Sequence, residues 1–221
     1  DRVKEIFKVG LPAALEQVIF QIGITAFLIL VAYYGTEAYA AYGIGVQILS
    51  FSFVIGFGFS IAGATLVGQH LGAKNKNQAK RAGWGAMRLS IVSMTFFGVI
   101  IATFAEPLAR FMIDNDEVVR LTVIFIWLLG SMQPLMAIEF SLGGALRGAG
   151  DTKTPLAITL TCLLFIRVFL AVIFFLLDAS IEIIFSTLLA DYIVKGFLYV
   201  SRFRSDKWMN VLKIKEVDQQ P

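Results

Sequence analysis

The chain holds one cysteine, one histidine and five prolines in 221 residues. A single thiol, Cys162, excludes an internal disulfide, and its place in an apolar run marks it as an inert packing residue. A single imidazole, His70, cannot assemble a metal site from the ligands near it, and it reads as an interfacial residue at a helix end. Charge is also scarce, at 16% Asp, Glu, Lys and Arg, against about 25% in an ordinary soluble domain. Positions 38–69 contain none of the four. No Ser–His–Asp set, metal cluster or phosphate loop is present, so the chain does not read as an enzyme, and no cofactor is expected. The net charge of +3 does not argue for nucleic acid, because the basic residues fall between apolar runs and at the ends. They read as topology determinants in contact with anionic membrane lipids.

What fills the space left by charge is hydrocarbon. Hydrophobic residues make up 57%, Phe alone occurs 20 times, and mean hydropathy is +0.77. The class that follows is all-α, a polytopic membrane protein built as a bundle of six transmembrane helices. The spans read as 9–34, 38–69, 83–105, 119–146, 155–177 and 183–201. Positions 1–8 are an interfacial amphipathic lead-in and 202–221 a cytoplasmic tail. The chain opens on Asp1 rather than Met, as expected of a piece cut from something longer, and EVDQQP reads as a natural terminus. Pro12 suits the first turn of the first span, where a missing N–H costs nothing. The second span would be ~48 Å long as one helix, against a hydrocarbon core of ~30 Å, so it tilts, breaks or projects. Gly56 and Gly58 are the natural place for a bend. Pro134, after Gln133, should kink the fourth span.

Two Gly-punctuated basic turns divide the chain. In 66–83, LVGQHLGAKNKNQAKRAG, Gly72 suits a left-handed helix stop after Gly68 and Gln69, and Asn77 suits the next cap. Lys74, Lys76, Lys80 and Arg81 oppose the dipole of the following helix, at ~0.3–1 kcal/mol each. Placing one in the bilayer centre costs ~2.5–3.5 kcal/mol, so topology outweighs the dipole. In 144–155, GALRGAGDTKTP, Gly148 and Gly150 end a helix and Thr154-Pro155 starts another. Arg147 and Asp151 are spaced to pair across that turn. Basic residues cluster at these turns and both ends, whereas the opposite loops hold only Arg110 and Arg120. The positive-inside rule then places both termini in the cytoplasm, in a cell (inner) membrane.

The segments GLP (10–12), AAYGIGVQILSFSF (40–53), GFGFSIAGATLVGQHLGA (56–73), AKRA (79–82), QP (133–134), GALRGAGDTKTP (144–155), RF (202–203) and Trp208 resemble the C-terminal six-helix lobe of the multidrug and toxic compound extrusion (MATE) family. LVGQ-x-LGA and ALRGAGDT are the specific segments. The resemblance implies a twelve-helix, pseudo-symmetric exporter that exchanges an organic cation for Na⁺ or H⁺ by alternating access, with an N-terminal six-helix lobe as partner. Related expectations are a lipid-linked oligosaccharide flippase of the same superfamily and a non-transporting half-size scaffold.

Ionisable residues inside spans are functional candidates. Glu16 and Glu139 each lie about seven residues from the cytoplasmic end of a span, ~10 Å deep, and could form an acidic layer with Gln17, Gln21 and Gln133. The resemblance places the acids of the sodium-coupled branch at Phe20 and Met136, so Glu16 is one turn early and Glu139 one turn late. Coupling could then rest in the other lobe. Arg167 (~18 Å deep) and Asp191 (~15 Å) are placed to pair as a structural or gating contact, with Lys195 reaching toward the interface. Phe51, Phe53, Phe57 and Phe59 are expected at lipid or in the core, with a cation-binding cavity as the other reading.

Overall fold

The computed structural model describes residues 2–211, with side chains at position 7 and from 10 onward. Backbone polar groups in lipid must be satisfied within their own segment, which leaves helices as the solution for apolar runs of this length. The described residues form α1 (Arg2–Ala32), α2 (Thr36–Gly72), α3 (Lys76–Thr103), the short α4 (Ala105–Met112), α5 (Asp116–Ser131) and α6 (Gln133–Gly148). Next, α7 (Lys153–Thr161) runs through a π-helical stretch (Cys162–Val168) into α8 (Phe169–Leu176), and α9 (Ile181–Arg204) is followed by a 3-10 turn (Lys207–Asn210). No strand occurs among these residues. Five helices are long and apolar enough to cross a membrane, and the bent pair α5–α6 brings the number to six if it is counted as one span. Large side chains such as Phe51, Phe111, Leu176 and Phe197 lie exposed on the outside, as a lipid-facing surface requires. The chain is an all-α polytopic membrane protein.

Several local expectations are corrected. Pro12 lies inside α1 rather than in its first turn, and α1 continues the lead-in backbone without a break. The side chains of the lead-in, Phe7 apart, and the tail beyond 211 lie outside the described residues. Helix α2 does not break at these glycines; it is continuous over 37 residues, ~55 Å. Gly56 is a packing residue, because a Cβ there would sit 2.6 Å from the Phe140 ring, and Gly58 faces open space. Asn75, not Asn77, caps α3, its Oδ1 accepting from the Gln78 amide at 3.1 Å. Lys74, not Gly72, takes the left-handed position after α2, at φ +57°. The Asn75 amide there donates to His70 O and the Lys74 amide to Leu71 O, the paired bonds of a Schellman stop. Gly150, at φ +79°, makes the equivalent stop after α6. Lys153, not Pro155, opens α7. The break at Gln133-Pro134 is real, and α5 and α6 meet there at 54°.

Gly148 does not end its helix for conformational reasons. It belongs to a close seam between α2 and α6. A Cβ on Gly144 would run into the Ser60 carbonyl, and one on Gly148 into the Ala64 carbonyl. On the facing side, a Cβ on Gly63 would lie 2.9 Å from Ser141 O and one on Gly68 3.1 Å from Gly148 O. Small residues four apart let backbones touch where lipid supplies no hydrophobic drive.

Two large apolar clusters and a small one of Met94, Met136 and Ala137 fill the bundle. One large cluster packs Phe27, Leu49, Phe125, Ile126, Phe185 and Leu188. The other packs Val67, Leu142, Leu146, Tyr199, Phe203 and Trp208 beside the basic turns. There the Phe203 ring rests on Gly83 and stacks on Trp208 at 4.5 Å between centroids. Lys80 pairs with Asp206 at 2.7 Å, and Lys76 donates to Asn210 Oδ1 at 2.7 Å, tying the start of α3 to the end of the described chain.

Candidate functional site

The buried face of α9 reads Ile181, Ile184, Phe185, Leu188, Asp191, Lys195, Tyr199 and Phe203. Spacings of three and four keep these on one stripe. The first four belong to one apolar cluster and the last two to the other. Asp191 and Lys195 therefore fall in the gap between two oily cores, facing inward.

That gap holds a chain of charges. Arg167 Nη2 lies 2.6 Å from Asp191 Oδ2. Lys195 Nζ lies 3.3 Å from the same oxygen and 3.4 Å from Glu139 Oε1. Asp191 and Lys195 are fully buried and Arg167 is 4% exposed. None of these contacts is aligned as a hydrogen bond, so charge alone holds them. The Tyr192 ring lies against both cations, 5.4 Å from each. Arg167 projects from the π-helical stretch of the fifth span, a widening that commonly marks functional positions in helices. Lys195 does not reach out to the interface; its neighbours Glu139 and Asp191 hold it inside.

One turn beyond Lys195, Tyr199 crosses from this group to a second. A Cβ on Gly143 would lie 3.5 Å from both the Tyr199 ring and Arg147 Nη1, so the missing side chain makes room for both. Arg147 Nη2 pairs with Glu16 Oε1 at 2.6 Å, and its Nε donates to Oε2 at 3.2 Å. The Thr159 hydroxyl donates to Glu16 Oε1 at 3.2 Å. Asp151, expected to pair with Arg147, instead takes Arg202 Nη2 and Nε at 2.6 and 2.8 Å. It also accepts from the Thr154 hydroxyl at 2.8 Å.

The expected acidic layer is thus divided. Glu16 is bound to Arg147 and Glu139 to Lys195, so each acid has its own cation. Gln17 and Gln21 lie on the exposed face of α1, away from the buried stripe of Glu16, Gly23 and Phe27. Gln133 is buried but accepts from the Ser52 hydroxyl at 2.6 Å, with its side chain against Gly98 between α2, α3 and α6. Phe51 and Phe57 are exposed, and Phe57 packs edge-on against Phe140. Thr159, Tyr192, Tyr199 and Arg202 escaped the sequence reading. Tyr199 lies four beyond Lys195 and Arg202 seven beyond, a helical spacing that could have pointed to both.

The fold is that of a known transporter class. The MatE family model matches residues 12–173. The chain belongs to the MATE family. It is 36% identical over 214 residues to a probable multidrug resistance protein NorM of Thermotoga maritima, covering 93% of this chain and 44% of that one. It is 30% identical over 161 residues to the probable NorM of Mannheimia succiniciproducens, covering 72% and 34%. The chain therefore spans less than half the length of these relatives. Among solved structures, the MATE transporter ClbM in complex with Rb⁺ superposes with a TM-score of 0.86 at 20% identity, over 94% of this chain and 49% of that one. A transporter of the MOP superfamily from Pyrococcus furiosus, described as having a binding pocket of reverse polarity, superposes at 0.84 and 18% identity over 92% and 45%. The chain is thus a membrane segment of the MATE family.

Proposed function

We propose that this MATE lobe works as the C-terminal half of a secondary active antiporter, exporting bulky organic cations in exchange for Na⁺ or H⁺. The observation that carries the reading is the row of ionisable side chains, with Glu16, Lys195, Asp191 and Arg167 buried and Arg147 and Glu139 half-buried between them, which joins α1, α6, α9 and the fifth span. Ionisable groups inside spans mark ion and substrate routes. Protonating Glu16 would release Arg147 from α1, and protonating Glu139 would loosen Lys195 from α6. Each acid can therefore couple a proton to a contact between helices. In alternating access one six-helix lobe rocks against another around a central site, and the length of the relatives supports an N-terminal lobe as the partner. The basic residues of the 72–81 and 147–154 turns support a cytoplasmic placement of both termini in the cell membrane, in contact with anionic lipid. Neither catalysis nor a cofactor has a place in this mechanism.

A flippase for lipid-linked oligosaccharide would call for an excess of cations in its interior. Here Glu16, Glu139 and Asp191 offset Arg147, Arg167 and Lys195. Ethidium efflux from cells carrying the full gene tests the reading. Export lost in Glu16→Gln/Glu139→Gln is the expected outcome. Undiminished efflux would remove the two acids from the mechanism, and no efflux by the unaltered protein would favour a non-transporting scaffold.

A further inference from the structure

The exporter reading gives Lys195 no task beyond its pairing with Glu139. Its side chain leaves α9 one turn past Asp191 and is wholly enclosed. Lys195 lies nine residues before the end of α9 at Arg204, and a lysine that near a span end can snorkel toward the headgroups. Lys195 turns inward instead. Its Nζ sits between Glu139 of α6 and Asp191 of α9, 3.4 and 3.3 Å from one oxygen of each. No aligned hydrogen bond is made to either. The rings of Phe20 and Tyr192 stand on the other sides, their centroids 6.0 and 5.4 Å away. Two carboxylates and two aromatic faces attract a monovalent cation of any kind, free or tethered.

We infer that Lys195 is a tethered cation: its ammonium occupies the place between Glu139 and Asp191 that a free Na⁺ would take, and so closes these acids to Na⁺. The charge count supports this. With Glu139, Asp191, Arg167 and Lys195 all ionised, the group sums to zero. Glu16 and Arg147 form a separate neutral pair and leave the sum unchanged. Without the lysine the group carries one uncompensated negative charge in a water-poor interior, which is strongly unfavourable unless a cation replaces it. Arg167 cannot serve, because it already lies against Asp191 from the fifth span. Any Na⁺ that drives the exporter then binds elsewhere. The inference deepens the exporter reading by assigning the state of its acids. Its test reads ion binding rather than efflux, so either can fail without the other.

The test is ²²Na⁺ binding to the purified full-length protein in detergent, at constant ionic strength made up with choline chloride. Lys195→Ala is expected to bind one more Na⁺ per polypeptide than the unaltered protein. Lys195→Arg keeps the charge and gains none, and Lys195→Ala/Asp191→Asn loses the extra ion again. Equal stoichiometry in Lys195→Ala and the unaltered protein overturns the inference. So does Na⁺ binding by the unaltered protein that disappears in Glu139→Gln. If Lys195→Ala aggregates in choline chloride, a single gel-filtration species restored by NaCl supports the inference, and aggregation persisting in NaCl counts against it.

Discussion

Among the described residues Asp191 is the one acid that two cations share, Arg167 at 2.6 Å and Lys195 at 3.3 Å. Removing one member of a buried ion group leaves a charge stranded, at a cost of ~3–5 kcal/mol. Asp191→Asn is therefore expected to lower thermal stability in detergent by about that amount. Asp191→Asn/Lys195→Met, in which Arg167 and Glu139 still balance, should recover most of the loss. A double-mutant cycle on melting curves measures this, and simple additivity of the two changes would mean that the pair is not coupled. The Glu16–Arg147 pair lies nearer solvent, with the Arg147 side chain 36% exposed. Water screens its arginine end while Glu16 stays buried, so in the same assay Arg147→Gln should cost less than Asp191→Asn, whose partners are all enclosed. The contact of Arg167 with Asp191 was legible from their similar distances to the span ends. The partners of Glu16, Glu139 and Asp151 were not legible. Choosing among cations at one depth needs the rotation of each helix, and that rotation is set by packing.

Among the helices, the glycines divide into those that make contact and those that do not. Gly144 and Gly148 of α6 rest directly on the carbonyls of Ser60 and Ala64 in α2. Gly144→Ala or Gly148→Ala must push the two backbones apart, with a loss of ~1–3 kcal/mol expected for overpacking. Gly58 of the same long helix meets nothing. Gly58→Ala should instead hold or raise the melting temperature, since Gly inside a helix is ~0.5–1 kcal/mol worse than Ala. Equal destabilisation by Gly58→Ala and Gly148→Ala would argue against the seam. The same contrast explains the missed features of α2. A pair of glycines in an apolar run signals a bend and a packing site equally well, and only the position of the Phe140 ring decided for packing at Gly56. The kink at Gln133-Pro134 was legible because proline removes a backbone donor whatever surrounds it. The π-helical stretch that carries Arg167 left no comparable mark in the sequence.

On the scale of the whole molecule, the basic turns are expected to stay on one side of the membrane and α4 on the other. In sealed cells Asn115→Cys should react with an impermeant thiol reagent and Lys76→Cys should not. The reverse pattern would invert the topology. At the end of the bundle that carries the basic turns, the Trp208 indole packs beneath the contacts that join the start of α3 to the end of the described chain, its Nε1 donating to Phe203 O at 2.9 Å. Trp208→Ala empties a fully buried site and should cost ~3–5 kcal/mol, read as a lower melting temperature.

The sequence alone determined the helical class and the family. These follow from hydrophobic length and from short motifs, and neither needs distant residues to be placed together. Tertiary structure decided the rest. It set which faces turn inward, which glycines touch, and which acid each cation meets. Those outcomes depend on how six helices rotate to bury their stripes against one another, and a single amine at Lys195 records the result: by depth it could have served the membrane surface, and by packing it serves two carboxylates instead.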